Sequence, residues 1–127
     1  MAINGMSRGI GERSERAAAR YLRRRGMRIL EVNYRCRLGE IDIVADEVGT
    51  VVVVEVKSKG GPRFGRPEEM VTMAKRRKLT VLAVTWLRHR GYVGKGVRFD
   101  VVAVDWAGGS LMEVRHYRAA FTAEGVW

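Results

Sequence analysis

At 127 residues the chain is short enough for one domain, yet long enough to bury roughly two-thirds of its unfolded surface, so a hydrophobic core can hold it without staples. Its 24 Lys and Arg against 14 Asp and Glu give a net charge of +10 and a pI near 10.6, which attracts polyanions, nucleic acid foremost, through counterion release. Cys36, the single cysteine, excludes an internal disulfide, Met1 to Arg8 lacks the apolar core of a secretory signal, and apolar runs no longer than Val51 to Val54 fall far below the roughly 20 residues that span a bilayer; the expectation is a cytoplasmic protein that does not enter membranes.

In chain order, residues 7–25 are expected to form a helix, because Ile10, Ala17, Ala18, Tyr21 and Leu22 recur at helical spacing and Gly26 sits where a left-handed cap belongs. Its other face carries Arg8, Arg13, Arg16, Arg20, Arg23 and Arg24. Three strands follow at about 27–34, 40–46 and 50–58, the last two joined by a turn of Glu47, Val48 and Gly49, and three in succession suggest a meander. The third is so rich in β-branched residues that it reads as a central strand buried on both faces. Gly60, Gly61, Pro62, Gly65 and Pro67 mark a loop. A long helix is expected over 68–90, with Glu68 and Glu69 at its positive end and a buried stripe of Val71, Ala74, Leu79, Leu82, Ala83, Trp86 and Leu87. Within it Lys75 to Lys78 form a basic run. A glycine-containing loop at 91–96 leads to a fourth strand at 97–106, then to a fifth at 111–117 through Gly108 and Gly109, with 119–127 as a loosely docked tail.

The chemistry concentrates between Gly39 and Lys57. Side chains alternate along a strand, so Glu55 and Lys57 share one face, and Glu40 and Asp42 share another. A carboxylate buried in a strand of valines costs several kcal/mol unless it is paired or holds a metal. An isolated Glu-x-Lys is most often a structural pair or a strand end emerging into solvent. Here, however, the preceding Gly39-Glu40-Ile41-Asp42 lies on the adjoining strand of a hairpin, which would bring Asp42 beside Glu55. Two carboxylates so placed make a hard-oxygen site suited to Mg2+, completed by water and substrate phosphate. Lys57 can then orient the attacking water or neutralise charge on the phosphate, and the reaction this suggests is phosphodiester hydrolysis. Other polar residues have plainer readings. His89 and His116 are expected to be exposed or capping, Asp100 to pair with Arg98 on its own strand, Trp86 and Trp106 to be core, and Cys36, between Arg35 and Arg37, to lack the histidine a nucleophile would need.

The order helix, three strands, helix, strand, together with Gly39-Glu40-Ile41-Asp42, Val54-Glu55-Val56-Lys57, Val71 with Lys75 and Leu79 at helical spacing, and Arg98-Phe99-Asp100-Val101-Val102, resembles the YraN family of small uncharacterised bacterial proteins. That family is similar to archaeal Holliday-junction resolvases within the PD-(D/E)XK superfamily. The resemblance covers about residues 9–105 of a single domain, leaving 106–127 as an extra strand and tail. It implies an α/β fold with a restriction-endonuclease-like αβββαβ core, a mixed central sheet flanked by helices. It also implies an endonuclease dependent on Mg2+ or Mn2+ and acting on branched or structured DNA. In that reading Asp42 and Glu55 hold the metal and Lys57 assists the water. Glu40 is a further ligand, directly or through water, and Glu15 is the first-helix acid with Glu12 as its rival. Arg20, Arg24, Lys75, Arg76 and Lys78 grip backbone phosphates, and symmetric junction cleavage would call for a homodimer. The sequence departs from the family at Ser14, where a glycine is common, and from the superfamily at Ile41, where proline gives it its name. The same fold also hosts inert basic nucleic-acid-binding modules. A third possibility is an interaction protein whose positive surface meets an acidic or membrane-bound partner.

Overall fold

The computed structural model describes residues 2–59 and 71–123. Among the described residues seven elements follow in chain order: α1 (Ala2–Arg24), β1 (Arg28–Cys36), β2 (Gly39–Glu47), β3 (Thr50–Lys59), α2 (Met73–Arg90), β4 (Val97–Ala107) and β5 (Ser110–Phe121). The five strands form one sheet in the order β1-β2-β3-β4-β5. Neighbours are antiparallel except β3 and β4, which run parallel across the α2 connection. The expected meander and αβββαβ order are both present, and the sheet is mixed.

The helices cover opposite faces. Ala18, Ala19 and Leu22 of α1 pack with Ile43, Ala45, Val52, Val54, Val102 and Val104. Leu79, Leu82, Ala83 and Trp86 of α2 pack with Tyr34, Val44, Val51, Val53, Phe99 and Val101. Because β3 and β4 lie between both layers, Val51 to Val54 and Val101 to Val104 are buried without alternation, as parallel central strands require. Among the described residues, no helix is long and apolar enough to cross a membrane.

Several boundaries differ from expectation for local reasons. α1 starts at Ala2, and Ile10, expected on its packed face, is 45% exposed, whereas Ser14, Ala18 and Leu22 are buried. Glu47 belongs to the strand, and the hairpin turns on Val48 (φ 49) and Gly49 (φ 89). Positive φ at both central residues is the primed turn whose twist suits a hairpin, but a valine there is strained. Val48→Asn is therefore expected to stabilise the fold by about 1 kcal/mol, read as a higher urea midpoint at unchanged slope.

Thr72 sets the start of α2 by accepting the Lys75 N–H at 3.2 Å, so Val71 is buried ahead of the helix and Ala74 faces solvent. Glu68, Glu69 and the glycine-proline loop lie outside the described residues, as does Trp127. β5 runs past its expected end, because Phe121 pairs with Phe99 at a ring separation of 5.0 Å; residues 119–121 are strand, not a loose tail. His89 is exposed, with its Nδ1 2.6 Å from the Tyr34 hydroxyl. His116, expected at the surface, has a side chain only 5% exposed and sits 2.7 Å from Asp100, which also holds Arg98 as anticipated.

Candidate active site

The β2–β3 ladder runs from the turn up to the pair Ile43 and Val54 and ends there. Beyond it the Val56 N–H donates to Asp42 Oδ2 at 2.8 Å, so a carboxylate stands where a continued ladder would offer a carbonyl. The alternation of β2 breaks at this point. Ile41 packs in the α2 layer and Ile43 in the α1 layer, whereas residues two apart on a regular strand share a face. On β1, Asn33 lies between the pairs Val32–Ile43 and Tyr34–Ile41 and has φ 58, a conformation asparagine tolerates. The two strands bend together.

On β3 no such break occurs, and Glu55 stays on the α2 side with Val51 and Val53. It is only 6% exposed. Its Oε2 lies 3.5 Å from Lys57 Nζ and 3.7 Å from Lys75 Nζ, the latter supplied by the first turn of α2. Glu55 and Lys57 thus share a face as the alternation required. Asp42 and Glu55 are not register partners, yet they are electrostatic neighbours. Burial first, then the Glu55 charge, pushes the Asp42 carboxyl up to about 7 against the opposing Val56 hydrogen bond, with Glu15 and Glu40 adding to the rise.

Glu15 reaches this group from α1. Burial raises its pKa, a hydrogen bond from the Asn33 side chain opposes that rise, and Glu40 adds to it. The acid that acts on Asp42 from this helix is Glu15. Its rival Glu12 is exposed and lies 3.8 Å from Arg16. Glu40 is also exposed and lies 3.8 Å from Arg35.

Ser14 holds α1 in place. Its buried hydroxyl donates to Ser58 at 2.7 Å and accepts from the Trp106 indole N–H at 2.7 Å, tying the helix to β3 and β4 beside Glu15. The serine is therefore a structural hub and not just a tolerated replacement for glycine. Ser14→Ala leaves both partners wanting and is expected to cost about 1–2 kcal/mol, measurable by chemical denaturation.

The phosphate-gripping candidates divide. Arg20 lines an open groove of about 440 Å³ between α1 and β1, together with Glu15, Arg16, Arg23 and Asn33. Arg24 and Lys78 are exposed. Arg76 is turned inward, its Nε donating to the Val71 carbonyl at 3.0 Å and its guanidinium lying 5.5 Å over the Phe121 ring, so it anchors the start of α2. Lys75 faces Glu55. The sequence reading missed Asn33 and the buried role of Ser14; the one available signal was an asparagine within a strand pattern, a residue type that tolerates left-handed backbone.

Among the described residues, no three Asp, Glu, His or Cys side chains lie close enough together to hold a metal unaided. Magnesium does not need three, since one or two carboxylates with water and substrate phosphate complete its octahedron. The desolvated Asp42 and Glu55 fit that donor set, and a cation there would relieve the repulsion that raises the Asp42 pKa.

Comparison with known proteins agrees in extent with this core. The model of the uncharacterised protein family UPF0102 matches residues 14–104. A UPF0102 protein of Rhodococcus jostii is 45% identical over 112 residues, covering 88% of this chain and 95% of the relative. One of Symbiobacterium thermophilum is 44% identical over 118 residues, covering 93% and 100%. One of Persephonella marina is 48% identical over 94 residues, covering 74% and 81%.

Proposed function

The chain belongs to the uncharacterised protein family UPF0102, the family it resembles as YraN, and we propose that it is a metal-dependent endonuclease hydrolysing phosphodiester bonds in branched or structured DNA. The observation that carries this reading is the Asp42 carboxylate set where the β2–β3 ladder ends, close to the buried Glu55, with burial and the Glu55 charge both raising its pKa. A structural acid of this kind is normally surrounded by donors. Asp42 instead takes one backbone N–H and has three other acids acting on it.

Asp42 and Glu55 would hold Mg2+ or Mn2+, with Glu40 and Glu15 acting through water. When bound, such an ion polarises a phosphate oxygen and acidifies a water. Lys57 stands beside Glu55 to orient that water and to neutralise charge developing on the phosphate. In the adjoining groove Arg16 is paired with Glu12, while Arg20 and Arg23 offer the polyanion positive charge beside Glu15.

A second reading, a basic nucleic-acid-binding module without chemistry, is favoured by the two ammonium groups of Lys57 and Lys75, which already neutralise the Glu55 carboxylate. The two readings part in one experiment. Single-stranded, duplex and four-way-junction DNAs are incubated with the protein in Mg2+, Mn2+ or EDTA. The nuclease reading expects divalent-dependent cutting that Asp42→Asn and Glu55→Gln both lose. Salt-sensitive binding with no cutting in any metal supports the module, and cutting that survives both substitutions is contamination.

A further inference from the structure

Of the four basic residues at 75–78, Arg77 and Lys78 are exposed and Arg76 is bound to Val71, but Lys75 is aimed at the most buried acid of the site. Its position is fixed by its surroundings. Thr72 caps the first turn through the Lys75 N–H, Val71 is buried beneath that turn, and Arg76 ties it to Phe121. One carboxylate oxygen of Glu55 therefore faces two ammonium groups, one from its own strand and one from the helix packed across it. A single carboxylate needs only one counter-charge. The two ammonium groups are almost equally open, 37% and 39% exposed, but Lys75 is the farther from Glu55 and stands on a separate element, so it is the one able to leave without disturbing the Glu-x-Lys strand.

We infer that Lys75 is a resident of the active site that neutralises Glu55 until a divalent cation arrives, then releases the carboxylate and transfers its ammonium to a non-bridging oxygen of the scissile phosphate. No covalent bond changes in this exchange, which is one ion pair traded for another. It rests on the metal-dependent reading above and adds to it a residue outside the Glu-x-Lys unit. As a competitor for Glu55, Lys75 weakens metal binding in the free protein. As a phosphate ligand, it ties productive metal binding to the presence of substrate.

The test compares full-length wild type, Lys75→Met and Lys78→Met. Calorimetric titration with Mn2+ in the absence of DNA is expected to show Lys75→Met binding the ion about tenfold more tightly, because one repelling unit charge is gone, while Lys78→Met matches wild type. On a four-way junction, Lys75→Met is expected to lose about 100-fold in kcat with little change in KM, whereas Lys78→Met raises KM alone. Equal Mn2+ affinities for wild type and Lys75→Met would overturn the inference and leave the metal reading standing. A flat Mn2+ isotherm for wild type, with and without junction DNA, would overturn both.

Discussion

Asp42→Asn is expected to reduce cleavage by about 10³-fold or more while making the metal-free protein more stable at pH 8. The two effects share one cause. The Asp42 carboxyl has its folded pKa raised from 3.8 to about 7, chiefly by burial and then by Glu55. For an acid shifted upward, the unfolded chain ionises first as pH rises. Between about 4 and 7 the folded state holds a proton that the unfolded state has lost, so stability falls across that window and is flat above it. At about 1.4 kcal/mol per pKa unit, the penalty at pH 8 is on the order of a few kcal/mol. Asparagine keeps an oxygen for the Val56 N–H and carries no charge, so it escapes the penalty. Urea unfolding in EDTA should then show Asp42→Asn well above wild type at pH 8, less so at pH 5, and nearly level with it only below about pH 4, where the carboxyl is protonated in both states. Mn2+ should raise the melting temperature of wild type at pH 8 and leave that of Asp42→Asn unmoved. If the variant is the less stable protein at pH 8 in EDTA, the carboxylate serves the fold and not a cation.

What could be read from the chain follows from the range of the forces involved. The valines of β3, the glycines at 26, 49, 108 and 109, and the shared face of Glu55 and Lys57 are set by local sterics and strand alternation, and the structure has them as expected. Lys75 on Glu55 depends on the rotational phase of α2 over the sheet. That phase is decided by Thr72, Val71 and the Arg76–Phe121 contact, and it is invisible in a run of four basic residues. The bend at Asn33 and Asp42 breaks the alternation that made the hairpin argument possible. The acids still lie near enough to repel one another across the gap where the ladder ends, but not as register partners. His116 and Ser14 were misjudged because their partners, Asp100 and Trp106, are remote in sequence, at separations of 16 and 92 residues. A polar side chain is buried only when a distant donor or acceptor meets it.

Asp100→Ala is expected to destabilise the fold by about 3–5 kcal/mol, the cost of orphaning a buried charged partner. Asp100 has no exposed surface, and its carboxylate accepts from Arg98 Nε and Nη2 at 2.9 and 3.0 Å, from the Ala119 N–H at 2.9 Å, and pairs with His116 Nε2 at 2.7 Å. Arg98 and Arg118 both continue to Glu47, at 2.6 and 2.7 Å, so the network locks the β2–β3 hairpin to β4 and β5. Burial alone would raise the Asp100 pKa, but the hydrogen bonds from His116, Arg98 and Ala119 outweigh it and hold the carboxyl at about 2. For an acid shifted downward, the stabilisation is present above the unfolded pKa near 3.8 and is lost as pH falls toward 2. Asp100→Ala should therefore lower the urea midpoint strongly at pH 7 and flatten the acid limb of the stability profile below pH 4. Replacing Arg98 and Asp100 together with Met and Leu should cost less than the sum of the two single changes, since each single change strands the other's charge. A fall of less than about 1 kcal/mol for Asp100→Ala would mean the network is worth no more than an ordinary hydrogen bond. Two desolvated aspartates on this sheet thus carry pKa shifts of opposite sign. Four donor contacts hold Asp100 as a structural anion, while one donor and three neighbouring acids leave Asp42 short of positive charge.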